Sequence, residues 1–313
     1  MSQQTAETAD TTDTTTERTD AGTGRSRVRL SRPGAVSVHA ALGGIALGPV
    51  AATTALRILR NAPVTLPEWL GAAFPAIATL AAVTPALALV GLGATVDRRA
   101  DRVALLAAGV FPLLAVVGDP AWLPAAAALV TGGGAAVALA LQRPGFPPAP
   151  TAVAALGVGA LCCSIAGVAG VATVTFRSFG AILAFAALAA LPITRSLDTA
   201  GLVAWVVGTL AVVWLVASAP FVAGAVTLVA FAAGDVPAVL LAGGVAGGLV
   251  VAIAAGLERD WGVAVGALLV LVAGAPASLA RGTAVVLGLV VLVETWSGPE
   301  TRSTDDPGGD VRA

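Results

Sequence analysis

The chain has 313 residues, 57% of them hydrophobic and 11% charged, with 37 glycines, no tyrosine and a formal net charge of −1. Soluble domains carry about 25% charged residues, so a soluble fold of this length would lack the polar groups to cover its surface. The near-neutral charge sets up no field for nucleic acid or an acidic ligand. Lipid is the solvent that such a chain fits, with apolar stretches of about 20 residues recurring as helices.

The first element in chain order is a polar tail, residues 1–32. Its first part holds Glu7, Asp10, Asp13, Glu17 and Asp20 against Arg18 and reads as disordered. Its last part holds Arg25, Arg27, Arg29 and Arg32, a basic flank that keeps the first helix's N-terminus in the cytoplasm. The apolar run Gly34–Leu56 is too long for a cleaved leader and reads as the first span. Trp69–Val96 is the second, ending at Asp97, Arg98 and Arg99. Val103–Gly118 and Ala121–Leu141 follow. The segment from Gln142 to Pro150 carries four prolines and cannot continue a helix.

Ala152–Phe176 and Ser178–Thr194 are the fifth and sixth spans, with Arg177 between them. The run Ala200–Gly234 has no charge. It is too long for one crossing of a ~30 Å core, and it divides at Ser218-Ala219-Pro220 into two spans. Val236–Leu257 is the ninth span, Gly262–Ala280 the tenth, and Gly282–Val293 either an eleventh crossing or an interfacial end. The expected fold is therefore all-α: a polytopic membrane bundle of about 10–11 transmembrane helices over residues 33–294, with an acidic disordered tail at 295–313. Arginines favour a cytoplasmic N-terminus in the cell membrane, with Arg98, Arg99, Arg102, Arg143, Arg195 and Arg281 inside and Arg57, Arg60, Arg177 and Arg259 outside. The side of the C-terminus stays open, because loss of one crossing inverts every later assignment.

All 17 basic residues are arginine, and the N-terminal tail is rich in Thr, Asp and Glu. In this style the chain resembles membrane proteins of extremely halophilic archaea, and GC-rich actinobacteria look similar. The resemblance implies a habitat and no activity.

Candidate sites are few. There is no P-loop, no H-E-x-x-H and no C-x-x-C, so neither a nucleotide nor a metal site is expected, and no cofactor is assigned. Cys162 and Cys163 are adjacent and read as small packing residues. Gly132-Gly133-Gly134 reads as a packing face. His39 is the only histidine; it could relay protons, but near the start of a span it reads as an interfacial residue bonding a neighbouring helix. Asp235 lies between two uncharged runs. It is either an intramembrane carboxylate or, in Gly-Asp-Val-Pro, a helix cap, and the cap is favoured. Asp119 in Gly-Asp-Pro has the same ambiguity. Arg281 reads as a cytoplasmic anchor; if buried it needs a carboxylate, with Asp235 or Glu294 first to consider.

Gly243, Gly244, Gly247 and Gly248 form an i, i+4 stripe expected to face another helix of the chain. Gly118–Arg143 also aligns without gaps onto Gly234–Arg259, which would make the fourth and ninth spans an inverted pair. Pro85 and Pro112 fall inside spans. Together these features point to a permease-like transport component for a small solute or ion. A non-catalytic scaffold or anchor subunit is the competing reading, and a membrane enzyme ranks last, because no titratable cluster converges. The expected partners are the lipid bilayer and other membrane subunits.

Overall fold

A computed structural model describes residues 37–63, 65, 67–118, 121–143, 146–195, 197–230 and 236–296. The two polar tails (1–32 and most of 295–313), Asp119 and Asp235 lie outside the described residues. Every regular element among those described is a helix: α1 (Val38–Arg60), α2 (Glu68–Thr95), α3 (Arg99–Val117), α4 (Trp122–Leu141), α5 (Pro148–Val168), α6 (Thr173–Thr194), α7 (Thr199–Ser218), α8 (Pro220–Ala230), α9 (Ala238–Leu257), α10 (Trp261–Ala273) and α11 (Leu279–Trp296). Among the described residues nine of them are long and apolar enough to cross a bilayer; α10, with 13 residues, is shorter.

Several hydroxyls within the helices satisfy themselves locally, as hydrocarbon favours. The hydroxyls of Thr53, Thr84, Thr131 and Thr283 donate to carbonyls four residues back at 2.7–2.9 Å. Helix starts are capped where the sequence offers a cap: Ser37 Oγ accepts from Ala40 N–H and Asp198 Oδ1 from Gly201 N–H. Large apolar side chains such as Ile45, Leu87, Val206 and Leu210 stand exposed, which is favourable only against lipid.

Ion pairs fix how the crossings are ordered. With α1 starting at one face, here the N-terminal face, alternation brings the ends of α4 and α6 back to it. Arg195, just after α6, pairs with Glu258 and Asp260 at 2.6 and 3.3 Å. The C-terminal end of α9 therefore also lies at the N-terminal face, and α9 starts at the far face, where α7 ended. So the chain between the end of α7 and the start of α9 returns to the face it left, and α8 makes no net crossing. This moves Arg259 to the N-terminal face and Arg281 away from it, the reverse of the sequence-based assignment. It also makes α4 and α9 parallel, so the inverted relation between Gly118–Arg143 and Gly234–Arg259 does not hold.

Several helix boundaries shift by about four residues (α3 starts at Arg99 and α5 at Pro148), and two differ more. α5 ends at Val168, and the turn after it uses positive φ at Gly170 (93°) and Ala172 (39°). Arg177 thus lies inside α6 instead of between spans. The expected span Gly262–Ala280 breaks after Ala273. α11, expected to be at most a short crossing or an interfacial end, is the axis of the bundle. It packs on α1, α2, α3, α4, α5 and α10, and 72% of its span is buried against none for α7.

Candidate functional site

The feature least expected in a lipid-solvated bundle is the break between α10 and α11. α10 has 13 residues and rises about 20 Å, well short of a ~30 Å core. It ends at Gly274, whose φ of 58° and ψ of −138° suit glycine alone. Gly274, Ala275 and Pro276 are buried. Non-helical backbone at this depth is tolerated only inside protein or beside water.

The local sequence explains the break and how its polar groups are met. Pro276 has no N–H, so the Val272 carbonyl loses the donor that a continuing helix would supply. Thr54 of α1 replaces it, its hydroxyl donating to Val272 O at 3.1 Å. Gly274 N–H still closes on Val270 O at 3.0 Å, Ala277 N–H donates to Ala275 O at 2.8 Å, and Gly282 N–H donates to Ser278 O at 2.8 Å. Ser278 Oγ accepts from the Arg281 N–H at 3.4 Å, starting α11.

Arg281 stands in that first turn and is only 6% exposed. It is not a loop anchor. Arg57, on the side of α1 that carries the buried Val50 and Thr53, is close enough for the two guanidiniums to feel each other's charge. The N-terminal end of α11 adds its own positive potential. Of the partners considered for Arg281, Asp235 is outside the described residues, and Glu294 lies at the opposite end of α11, about 20 Å along the axis. Glu294 accepts instead from Arg143, at 2.6 Å from Nη2 and 2.9 Å from Nη1. That hydrogen bond holds the Arg143 guanidinium above the ordinary arginine range, against the pull of partial burial.

Two shallow grooves flank the break. One, of about 270 Å³, lies between α1, α9 and α10 and is lined by Ala51, Thr54, Val245, Leu271 and Val272. The other, of about 100 Å³, lies between α2, α3 and α11 and includes Pro112, Val116, Leu279 and Thr283. Both are mainly apolar.

The remaining candidates lie elsewhere. His39 is half-buried in the first turn of α1, at the N-terminal face. Gly244 lies against Phe185, and a Cβ added at Gly247 would stand 2.7 Å from the Leu188 carbonyl oxygen. Gly248 meets Leu188 and Leu271, while a Cβ at Gly243 would touch Ala189 and Thr209 at ordinary contact distance, 3.9 Å. The Gly243 carbonyl accepts from Trp205 Nε1 at 3.0 Å. Among the described residues no three His, Cys, Asp or Glu side chains gather to hold a metal. Sequence reasoning missed the break itself, the roles of Thr54 and Arg57, and Ser164, whose buried Oγ has no hydrogen-bond partner. The run Gly-Ala-Pro at 274–276 was the available signal for the break.

Residues 39–293 match an integral membrane family of unknown function, DUF8068. No curated protein and no solved structure matches the chain. The chain thus belongs to this family and is a multi-pass integral membrane protein.

Proposed function

We propose that this member of the family is a permease-like component that passes a small solute or ion, with the α10–α11 break on its path. One observation carries the reading: a charged side chain, Arg281, buried beside non-helical backbone on the central helix. A charge buried inside a membrane bundle is expensive and marks ion and solute paths, and broken helices are how many transporters expose backbone groups to substrate. The N-terminal face is assigned to the cytoplasm. It carries Arg98, Arg99, Arg102, Arg143, Arg195 and Arg259, and the basic flank Arg25–Arg32 precedes it in sequence, against Arg57, Arg60, Arg177 and Arg281 toward the other face. The lysine-free composition suits a high-salt habitat.

The competing reading is a non-catalytic scaffold or anchor subunit. The apolar, shallow character of both grooves favours it. Water access separates the two. In a chain with Cys162→Ala and Cys163→Ala, Ala277→Cys should react with a small water-soluble thiol reagent applied from one face of the membrane. Silence from both faces, together with a functional Arg281→Leu variant in the host, would favour the scaffold.

A further inference from the structure

Three ion pairs join described residues, and all three fall on the two feet of the α10–α11 hairpin at the N-terminal face. Arg143, just after α4, grips Glu294 at the foot of α11 through both terminal guanidinium nitrogens. Arg195, just after α6, holds Glu258 and Asp260 at the corner where α9 gives way to α10. The arginines belong to the surrounding helices and the acids to the feet of the hairpin. Asp260 also caps α10, accepting from Val263 N–H at 3.4 Å. Above the feet the contacts are apolar, with side chains of the hairpin set against glycines of its neighbours. Gly43 takes Val265, Gly133 takes Val286 and Gly157 takes Leu289. Nearer the tip, the Thr54 hydroxyl donates to the Val272 carbonyl.

Lipid is as apolar as the socket, so apolar burial by itself does not hold the hairpin in place. Charge-assisted hydrogen bonds at the feet do so. They are also within reach of water: the side chains of Arg143 and Glu294 are about a quarter exposed, and that of Glu258 is 66% exposed. We propose that the Arg143–Glu294 and Arg195–Glu258/Asp260 clasps are a latch on the hairpin, and that their release opens the Gly274–Ser278 break to water from the N-terminal face. The proposal rests on the permease reading and adds to it the gate on one side of the path.

The test compares labelling of Ala277→Cys, in the cysteine-free chain, by a membrane-impermeant thiol reagent applied to the N-terminal face. Glu258→Gln, Asp260→Asn and Glu294→Gln together strip the clasps of their negative charge while keeping side-chain shape and the α10 cap. Labelling should rise about tenfold, the change that loss of roughly 1.4 kcal/mol of clasp energy gives. Exchange of one clasp, Arg143→Glu with Glu294→Arg, should return that pair to the slow native rate. Should the triple variant not fold, Glu258→Gln alone, at the most exposed acid, carries the test with a smaller rise. An unchanged labelling rate with a lowered melting temperature would show a brace and overturn the latch. If native Ala277→Cys labels from the far face but clasp release adds nothing, the latch fails alone. If no variant labels from either face, the permease reading fails with it.

Discussion

Gly247 has the Leu188 carbonyl oxygen where a side chain would begin. A backbone oxygen cannot rotate aside, so Gly247→Leu must push α6 and α9 apart. Overpacking of this kind costs about 1–3 kcal/mol, and Gly244→Leu, against Phe185, should behave alike. Val250 is only half-buried on the same helix, and Val250→Leu should stay within about 0.5 kcal/mol. Melting temperatures in detergent give the comparison, and equal values for Gly247→Leu and Val250→Leu would refute the close approach. Thr54 allows a second test at this scale. Thr54→Val keeps the shape but strands the Val272 carbonyl that Pro276 leaves without its helical donor. Bonds of this type between membrane helices contribute roughly 0.5–1.5 kcal/mol. Thr54→Ser should recover most of that loss in the same melting assay, and failure to do so would mean that the hydroxyl is not what matters.

At the scale of elements, prolines and charge clusters made most helix ends legible. Asp97 and Arg98 separate α2 from α3, Ala219 separates α7 from α8, which Pro220 opens, and the prolines from 144 to 150 precede or open α5. The errors share one physical cause. Helices that are apolar all round carry no amphipathic stripe, so their depth and neighbours leave no trace in the pattern. A lone Arg281 in an apolar run therefore reads as a loop, although it starts the most buried helix. The charge-free run 200–234 holds enough residues for two helices, and nothing in it tells a full crossing from the short α8. The shape of the break rests on Gly274, and Gly274→Ala should cost about 1–3 kcal/mol for its positive φ. Gly256, in helix α9 with open space around it, is the control: Gly256→Ala should be neutral or stabilising by up to about 1 kcal/mol. Equal melting temperatures for the two variants would mean that Gly274 is not held in that conformation.

For the whole molecule, the arrangement of crossings decides what any site can do. A hairpin that enters and leaves at the N-terminal face places Arg281 toward the far side, with both ion-pair clasps at the opposite end of the same element. On the proposed reading that N-terminal face is the cytoplasmic one, and α11 ends on the face where α1 starts. The most direct measurement is a pair of topology reporters, one active only outside the cell and one only inside, placed after residue 20, after Arg60, after Arg259 and at the C-terminus. The N-terminal, Arg259 and C-terminal positions should report inside, and Arg60 outside. An Arg259 position that reports opposite to residue 20 would make α8 a crossing, turn the hairpin over and contradict the account.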